Sequence, residues 1–239
     1  VIGQSIGILQ SMRIQQAAGL NGNRYATFHQ LGKEQAQKLH EDDRLYDVGD
    51  TIFIGSTPLG NSSLSLYLRE YHDNALSMYP AIGNVKEGRL PEEAIEIALS
   101  EDALQYLGLD AVIGDTVSLD LSVSVMDGSL SELEYSADFV LTGILESSYI
   151  GYASGTVEGI VGEGTAEELL PEEYLLYSTD FKTYDKQNFQ SIIYALAEDL
   201  NVDERYIQYN WVLLDAIGIS YDEAADSDTG TGFSFMTAA

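Results

Sequence analysis

The chain has 239 residues, 45% of them hydrophobic, so it is long and apolar enough to fold around a sizeable core. It carries 39 acidic and 11 basic residues, and the net charge of −28 argues against nucleic-acid binding, which needs basic patches. Such a surface favours solubility and attracts cationic peptides or divalent ions. The absence of cysteine excludes disulfides, cysteine metal sites and thiol nucleophiles.

The first 81 residues predict a helix followed by a β-α-β unit. Apolar residues at roughly helical spacing indicate the helix, and Asn21-Gly22-Asn23 ends it. The later elements are expected in this order: a strand over 25–29, a helix over 32–40, a turn at 48–50, a strand over 51–54, a strand over 64–71, and a short helix from Asp73 to residue 79.

The middle of the chain predicts a short strand, a short helix and a long β-hairpin. Residues 95–99 alternate between apolar and other side chains, Ser100 is a suitable helix N-cap, and Gly108 is placed to end the helix. Alternation of period two predicts hairpin strands over 117–125 and 133–141, with the turn at Asp127-Gly128. Long strands that are apolar on one face are typical of a barrel or of a sheet with one wet face.

Residues 151–164 contain five glycines and predict a mobile loop or an open insert. Their spacing lacks the Lys-Ser/Thr pair of a phosphate-binding loop. After this segment, the patterns predict a second β-α-β unit: a strand over 174–177, a helix over 187–200 capped by Asp185 and ended by Asn201, and a strand over 206–214. The acidic, glycine-containing residues beyond 219 are expected to be a tether.

Residues 88–119 contain G-R-x-P, E-I-x-L-S, L-G and G-D-x-V-x-L in that order. The residues that carry the pattern are Gly88, Arg89, Pro91, Glu96, Ser100, Leu107, Gly108, Gly114, Asp115 and Val117. This order resembles the MacB-like periplasmic core domain of FtsX-like ABC-transporter permeases. Weaker echoes lie at 139–144 and at 25–48, the latter similar to the Gram-positive branch.

The resemblance implies an α+β fold. An α/β subdomain of two β-α-β units would come from the N- and C-terminal segments, with a mostly-β subdomain inserted between them. The implied division is 1–22 as a helical connector from a transmembrane helix, 23–81 with 172–218 as the membrane-proximal α/β subdomain, 82–171 as the inserted β-rich subdomain, and 219–239 as the linker to the next transmembrane helix.

The same resemblance implies a non-enzymatic domain outside the cell membrane, with no cofactor and no catalytic residue. Its implied partners are a cytoplasmic ABC ATPase, which acts through membrane helices outside this chain, and a second permease in a possible dimer. ATP hydrolysis would then drive export or extraction of a peptide or lipid-linked substrate, or activate an extracellular protein partner. The alternative is a secreted binding protein or hydrolase without a recognisable catalytic motif.

Other candidate sites have weaker support in the sequence. Asp228-Thr229-Gly230 is an aspartic-protease triplet, but it lacks the apolar strand context of that chemistry. An acidic group at 222–228 lacks the glycine and terminal glutamate of an EF-hand. His29, His40 and His72 are not at zinc-ligand spacing.

Two surfaces remain as candidates for ligand binding. Most of the tyrosines are expected to pack in the core or on the sheet, and those considered for a ligand surface are Tyr67, Tyr71, Tyr79, Tyr149, Tyr152 and Tyr174. The glycine-rich segment at 151–164, together with the outer β section, is the preferred surface for a partner.

Overall fold

The computed structural model describes residues 2–127, 129–148 and 151–219. Its helices are α1 (Ile2–Asn21), α2 (Lys33–His40), α3 (Glu101–Tyr106), α4 (Thr165–Leu169), α5 (Phe189–Leu200) and α6 (Trp211–Ala216). Its strands are β1 (Ala26–Leu31), β2 (Leu45–Pro58), β3 (Ser65–Asp73), β4 (Val85–Gly88), β5 (Glu96–Ser100), β6 (Thr116–Asp127), β7 (Ser129–Leu145), β8 (Thr156–Val161), β9 (Tyr177–Thr183) and β10 (Ile207–Tyr209). The predicted α+β fold class is confirmed.

Four strands and two helices form a split β-α-β arrangement. Their order across the sheet is β10-β1-β9-β2, with every neighbouring pair antiparallel. Strands β1 and β2, which are joined through α2, therefore run parallel to each other on either side of β9. Strands β9 and β10, joined through α5, do the same on either side of β1. Two interlocked β-α-β units of this kind make a ferredoxin-like sheet.

The sheet continues from β2 into a ring of strands. The pairing runs β2-β3-β8-β5-β7-β6, and β6 then meets β2 again at Ser56 and Ser122. The long hairpin of β6 and β7 provides much of this wall. Its inward side chains alternate with outward ones, which is the pattern that predicted the two strands. Strand β2 thus belongs to both the split β-α-β arrangement and the barrel.

One buried apolar cluster extends through both parts. Phe28 and Phe181 meet edge to face between β1 and β9, at a ring separation of 5.2 Å. Phe139 and Leu121 belong to the same cluster inside the barrel wall. The predicted division of the chain into two subdomains with these bounds stays a prediction.

The turn predicted at 48–50 is wrong, because β2 passes through these residues as one strand. A bulge lies between Tyr46 and Gly49 where β2 pairs with β9, and Asp47 has a positive φ of 48°. The local irregularity that resembles a turn in sequence is therefore a bend within a strand. The short helix predicted from Asp73 is a single 3-10 turn at Leu76–Met78, and Asp73 itself ends β3.

The mobile loop predicted at 151–164 is also wrong. Residues Thr156–Val161 of this segment form β8, which lies in the sheet between β3 and β5. Val157, Ile160 and Val161 are buried, and Gly159 packs where an added Cβ would meet the side chains of three leucines. Here glycine marks close packing between strands rather than freedom of the chain.

Two C-terminal strand predictions are displaced. The strand expected at 174–177 starts at Tyr177, after a 3-10 turn at Glu172–Tyr174. The strand expected at 206–214 ends at Tyr209, and α6 follows it. Asn210 caps α6, since its Oδ1 accepts a hydrogen bond from the amide of Leu213. An N-cap at this position starts a helix in a segment whose apolar residues also suit a strand.

The helix predicted over 187–200 is confirmed from Phe189, and Asn201 ends it in the left-handed conformation. Asp185 accepts hydrogen bonds from the backbone amides of Gln187 and Asn188, immediately before the helix. The first helix, α1, packs against α6. Among the described residues, no helix combines the length and apolar character needed to cross a membrane.

Several predicted features lie outside the described residues. They are Gly128 in the hairpin turn, Tyr149, the acidic group at 222–228, the triplet Asp228-Thr229-Gly230 and the tether beyond residue 219.

Candidate functional site

A cleft of about 440 Å³ opens over β2 and β3, between α2 and α4. It forms because the end of α2 and the start of α4 both lie above the same face of these strands. Five carboxylates, two histidines and one lysine line it: Asp50, Glu70, Asp73, Glu163, Glu167, His40, His72 and Lys33. Their concentration in one cleft makes it a strongly acidic part of an acidic protein.

Three side chains converge at one end of the cleft. Nε2 of His40, in the last turn of α2, lies 2.9 Å from Oδ2 of Asp50 on β2 and 3.8 Å from Oδ2 of Asp73 at the end of β3. One atom from each residue lies within 4.8 Å of the other two, so the three could hold a metal ion. Asp50 is largely buried, and its other oxygen, Oδ1, accepts a hydrogen bond of 2.6 Å from Thr179 on β9.

Glu70 organises the other end of the cleft. Its carboxylate is buried and accepts hydrogen bonds from the backbone amides of Gly164 and Ala166, at 2.7 and 2.6 Å. The same carboxylate lies 2.8 Å from Nε2 of His72, and Nδ1 of His72 lies 3.3 Å from Glu163. Glu70 thus satisfies amides at the start of α4, which would otherwise lack partners. The geometry gives this residue a structural role.

The acidic surroundings stabilise positive charge on both histidines. The hydrogen bond that His40 donates to Asp50 raises the pKa of His40, and the hydrogen bond that His72 donates to Glu70 raises the pKa of His72. The single lysine, Lys33, pairs with Glu167 at 2.9 Å, and this hydrogen bond lowers the pKa of Glu167. Lys33, the permanently charged cation of the cleft, is therefore already paired with Glu167 at the rim of the cleft.

The motif residues singled out in the sequence lie elsewhere, around β4, β5 and α3. Arg89 makes a two-pronged ion pair with Glu96, whose Oε2 also accepts hydrogen bonds from the amides of Glu92 and Glu93. The hydrogen bonds from Arg89 lower the pKa of Glu96 to about 2. This pair fixes the loop that contains Pro91 against the start of β5.

The glycines and caps of the motif also have structural environments. Ser100 caps α3, because its Oγ accepts a hydrogen bond from the amide of Ala103, and Gly108 follows the helix at φ 71°. Gly88 has φ 75° beside the backbone of Thr142, and Gly114 has φ 96°. These are conformations that side chains with a Cβ adopt at a cost.

The remaining motif residues support the same region. Leu107 packs against the core, and Val117 is buried in it. Asp115 accepts a hydrogen bond from the amide of Val112, which shapes the turn before β6. That these residues identify a family stays a prediction, since their contacts explain the local fold without reference to a ligand.

The acidic cleft was not predicted from the sequence. The separations of His40, Asp50 and Asp73 along the chain follow no metal-binding pattern. The β2–β3 ladder places Asp50 opposite His72 and Gly49 opposite Asp73, and α2 brings His40 above them. The usable signal was the dipeptide His72-Asp73 at the end of a strand, combined with a histidine in the last turn of a neighbouring helix.

The tyrosines that were considered for a ligand surface pack against the core or the sheet where the structure describes them. Tyr67 is buried beside Phe53, and Tyr79 donates a hydrogen bond of 2.7 Å to the buried carboxylate of Asp180. Tyr152 and Tyr174 are partly buried against the core. Core and sheet packing, which the sequence favoured for most tyrosines, is therefore what the structure has at these positions.

Comparisons with known proteins find similarity in structure only. No family model matches, and no curated protein matches. The extracellular domain of the noncanonic ABC-type transporter YknZ from Gram-positive bacteria superposes with a TM-score of 0.51 and 12% identity, over 78% of this chain and 99% of that domain. The periplasmic region of MacB from Actinobacillus actinomycetemcomitans gives 0.49 and 14%, over 85% of this chain and 96% of that one. The predicted resemblance is thus confirmed at the level of the fold, which the chain shares with the extracellular domain of YknZ.

Proposed function

We propose that this chain is the extracellular domain of an ABC-transporter permease of the FtsX and MacB type. The observation that carries the proposal is the shared fold, which extends over 99% of the YknZ extracellular domain. In this role the domain binds no nucleotide and catalyses no reaction. A cytoplasmic ATPase supplies the energy, and membrane helices on either side of the domain transmit it.

The placement of the first and last described helices supports this role. Helix α1 packs against α6, and Arg13 on α1 lies 3.4 Å from Asp215 on α6. The amide nitrogen of the Asn210 side chain donates to the carbonyls of Gly22 and Arg24, which ties the start of α6 to the end of α1. Helices α1 and α6 therefore lie side by side, an arrangement that suits a domain placed between two membrane helices.

The architecture also suits the transmission of movement. Strand β2 runs without interruption from the split β-α-β arrangement into the barrel, so a displacement of α1 and α6 can reach the barrel through one continuous sheet. The result would be export or extraction of a peptide or lipid-linked molecule, or activation of an extracellular protein. The acidic surface favours a cationic partner over an anionic one.

The test uses the full-length protein in the membrane of its own host. The described domain offers exposed Val112 and buried Ala103 as matched positions, and the chain has no native cysteine. Val112→Cys is expected to react with a membrane-impermeant maleimide on intact cells, whereas Ala103→Cys reacts only after denaturation. An ATPase subunit is expected to co-purify with the tagged protein from detergent extracts.

Two outcomes would contradict the proposal. Labelling of Val112→Cys only after lysis would place the domain in the cytoplasm. Recovery of the protein from the culture medium, free of membranes and of any ATPase, would favour the secreted binding protein or hydrolase instead.

A further inference from the structure

We propose that His40, Asp50 and Asp73 form a binding site for one divalent transition-metal ion of the Zn²⁺ type. The proposal is independent of the transporter role, because it rests on the geometry of this cleft alone. The three residues come from α2, β2 and the end of β3, so a bound ion would link a helix to two neighbouring strands.

The distances between the three ligand atoms suit a small cation. Four ligands at about 2.1 Å around a tetrahedral Zn²⁺ lie about 3.4 Å from one another. In the cleft, Nε2 of His40 lies 2.9 Å from Asp50 Oδ2 and 3.8 Å from Asp73 Oδ2. Shifts of about half an ångström therefore bring each carboxylate oxygen to this spacing from Nε2 of His40, and the two carboxylate oxygens lie within 4.8 Å of each other. The exposed side of the site leaves the fourth position to water.

The donor set selects the kind of metal. One imidazole nitrogen with two carboxylate oxygens suits Zn²⁺ and similar transition metals, whereas Ca²⁺ and Mg²⁺ prefer oxygen ligands alone. Without a metal, the proton on Nε2 of His40 can be shared with Asp50. Metal binding requires this nitrogen to be free of its proton: the proton moves to Nδ1 when the imidazole is neutral, and it is released to solvent when both nitrogens are protonated.

Two further features support the site. The hydrogen bond from Thr179 to Asp50 Oδ1 leaves Oδ2 turned towards His40, which is the orienting role that a residue behind a metal ligand plays. The cleft also contains five carboxylates and a single lysine, and that lysine is paired with Glu167. The surrounding charge therefore attracts a cation and is only partly neutralised by the protein itself.

The test measures Zn²⁺ binding to the full 239-residue chain after treatment with a chelator. Titration calorimetry in a buffer that does not bind metals is expected to show one site per chain. The affinity should survive a large excess of Ca²⁺ or Mg²⁺. In NMR spectra, Zn²⁺ should shift the imidazole signals of His40, while His29, which is buried outside the cleft, should stay unchanged.

Matched variants distinguish coordination of Zn²⁺ by these three residues from general electrostatic attraction of Zn²⁺ to the acidic surface. Asp73→Asn removes one ligand from a side chain that is 61% exposed, and asparagine tolerates the positive φ of this residue. We expect it to weaken Zn²⁺ binding about 10-fold or more, as should His40→Gln. Asp43→Asn removes the same charge from an exposed position nearby and should change the affinity less than about twofold.

Three results would overturn the proposal. The first is no saturable Zn²⁺ binding to the wild-type chain. The second is an equal loss of affinity in Asp73→Asn and Asp43→Asn, which would indicate a diffuse acidic surface. The third is displacement of Zn²⁺ by equimolar Ca²⁺. Circular dichroism of each variant shows whether it is folded. If His40→Gln does not fold, Asp73→Asn still decides the test, because Asp73 is largely exposed and its substitution should not disturb the fold.

Discussion

Arg24 and Asp180 form an ion pair in the interior of the split β-α-β arrangement. Nε of Arg24 lies 3.5 Å from Oδ1 of Asp180, and the two side chains are only 7% and 3% exposed. Tyr79 bridges them, since its hydroxyl accepts a hydrogen bond from Arg24 and donates one to Asp180. Thr27 also donates to Asp180. The network joins the start of β1 to β9 and to the loop after β3, which are distant in sequence.

Removing one partner of this pair should strongly destabilise the domain. Arg24→Met leaves the carboxylate of Asp180 buried without its cation, and a loss of about 3–5 kcal/mol in the free energy of unfolding is expected. Urea unfolding followed by circular dichroism measures it. The control is Arg13→Met, which removes the 3.4 Å pair with Asp215, whose side chains are 67% and 72% exposed.

The control variant should unfold at nearly the wild-type urea concentration, because exposed pairs contribute little. If Arg24→Met and Arg13→Met shift the midpoint by similar amounts, the buried network is not important for stability.

Strand β8 leads to a second prediction, about glycines that sequence patterns assign to a loop. A Cβ at Gly159 would lie 2.6 Å from a methyl group of Leu68 and 2.9 Å from one of Leu99. At Gly162 it would overlap the backbone of Glu93. Gly159→Ala should therefore cost about 1–3 kcal/mol in the free energy of unfolding, and Gly162→Ala should cost more, since backbone yields less than a side-chain end.

Thermal unfolding of the two variants tests this, with Gly7→Ala in α1 as the control. Nothing lies within 4 Å of a Cβ at Gly7, and alanine favours a helix, so this variant should be neutral or slightly stabilised. A mobile loop over 151–164 would instead make Gly159→Ala neutral as well.

Local periodicity predicted the parts of the fold in which each strand has one buried face. Val117, Leu119 and Leu121 on β6 are buried at alternate positions, and the hairpin was predicted for that reason. Strand β8 was missed because glycine replaces the apolar residue where β3 and β5 crowd it. The second half of β2 was predicted without its first half, because a bulge near Asp47 interrupts the alternation.

The cleft could not be predicted because it depends on long-range pairing. Asp50 and His72 face each other only because of the register in which β2 pairs with β3, and no local sequence pattern indicates that register. By contrast, the cap at Ser100 and the left-handed residue Asn201 were predicted, since they depend only on neighbours along the chain. Local interactions were thus predictable, and the convergence of side chains from separate elements was not.

The ion pair of Arg89 and Glu96 provides a third prediction. The hydrogen bonds from Arg89 come first among the causes that lower the pKa of Glu96 to about 2. In Arg89→Gln the pKa of Glu96 should rise towards the ordinary value of about 4.3 for a glutamate. Titration of the side-chain carboxyl carbons by NMR measures both values. Arg13→Gln, remote from this loop, should leave the pKa of Glu96 near 2.

A pKa of Glu96 near 2 in Arg89→Gln would mean that the amides of Glu92 and Glu93 hold the carboxylate ionised without the guanidinium. An ordinary pKa in the wild-type domain would mean that the ion pair does not persist in solution.

The buried histidine His29 provides the fourth prediction, a pH dependence of stability. Its Nδ1 lies 2.8 Å from Ser178 Oγ and its Nε2 lies 2.9 Å from Gln208 Oε1. This arrangement fits a neutral imidazole whose Nε2–H donates to Gln208. Burial lowers the pKa of His29 from 6.5 to about 4. At pH values between about 4 and 6.5, His29 therefore binds a proton in the unfolded chain but not in the folded domain.

As a result, the contribution of His29 to stability is complete above pH 6.5 and is lost as the pH falls towards 4. The loss is on the order of 3 kcal/mol, at 1.36 kcal/mol for each pKa unit. Urea unfolding of the wild-type chain and of His29→Gln from pH 7.5 to 4.5 isolates it, because the carboxylates, His40 and His72 are common to both. The wild-type stability should fall more steeply with decreasing pH, and parallel curves would show that His29 titrates normally in the folded domain.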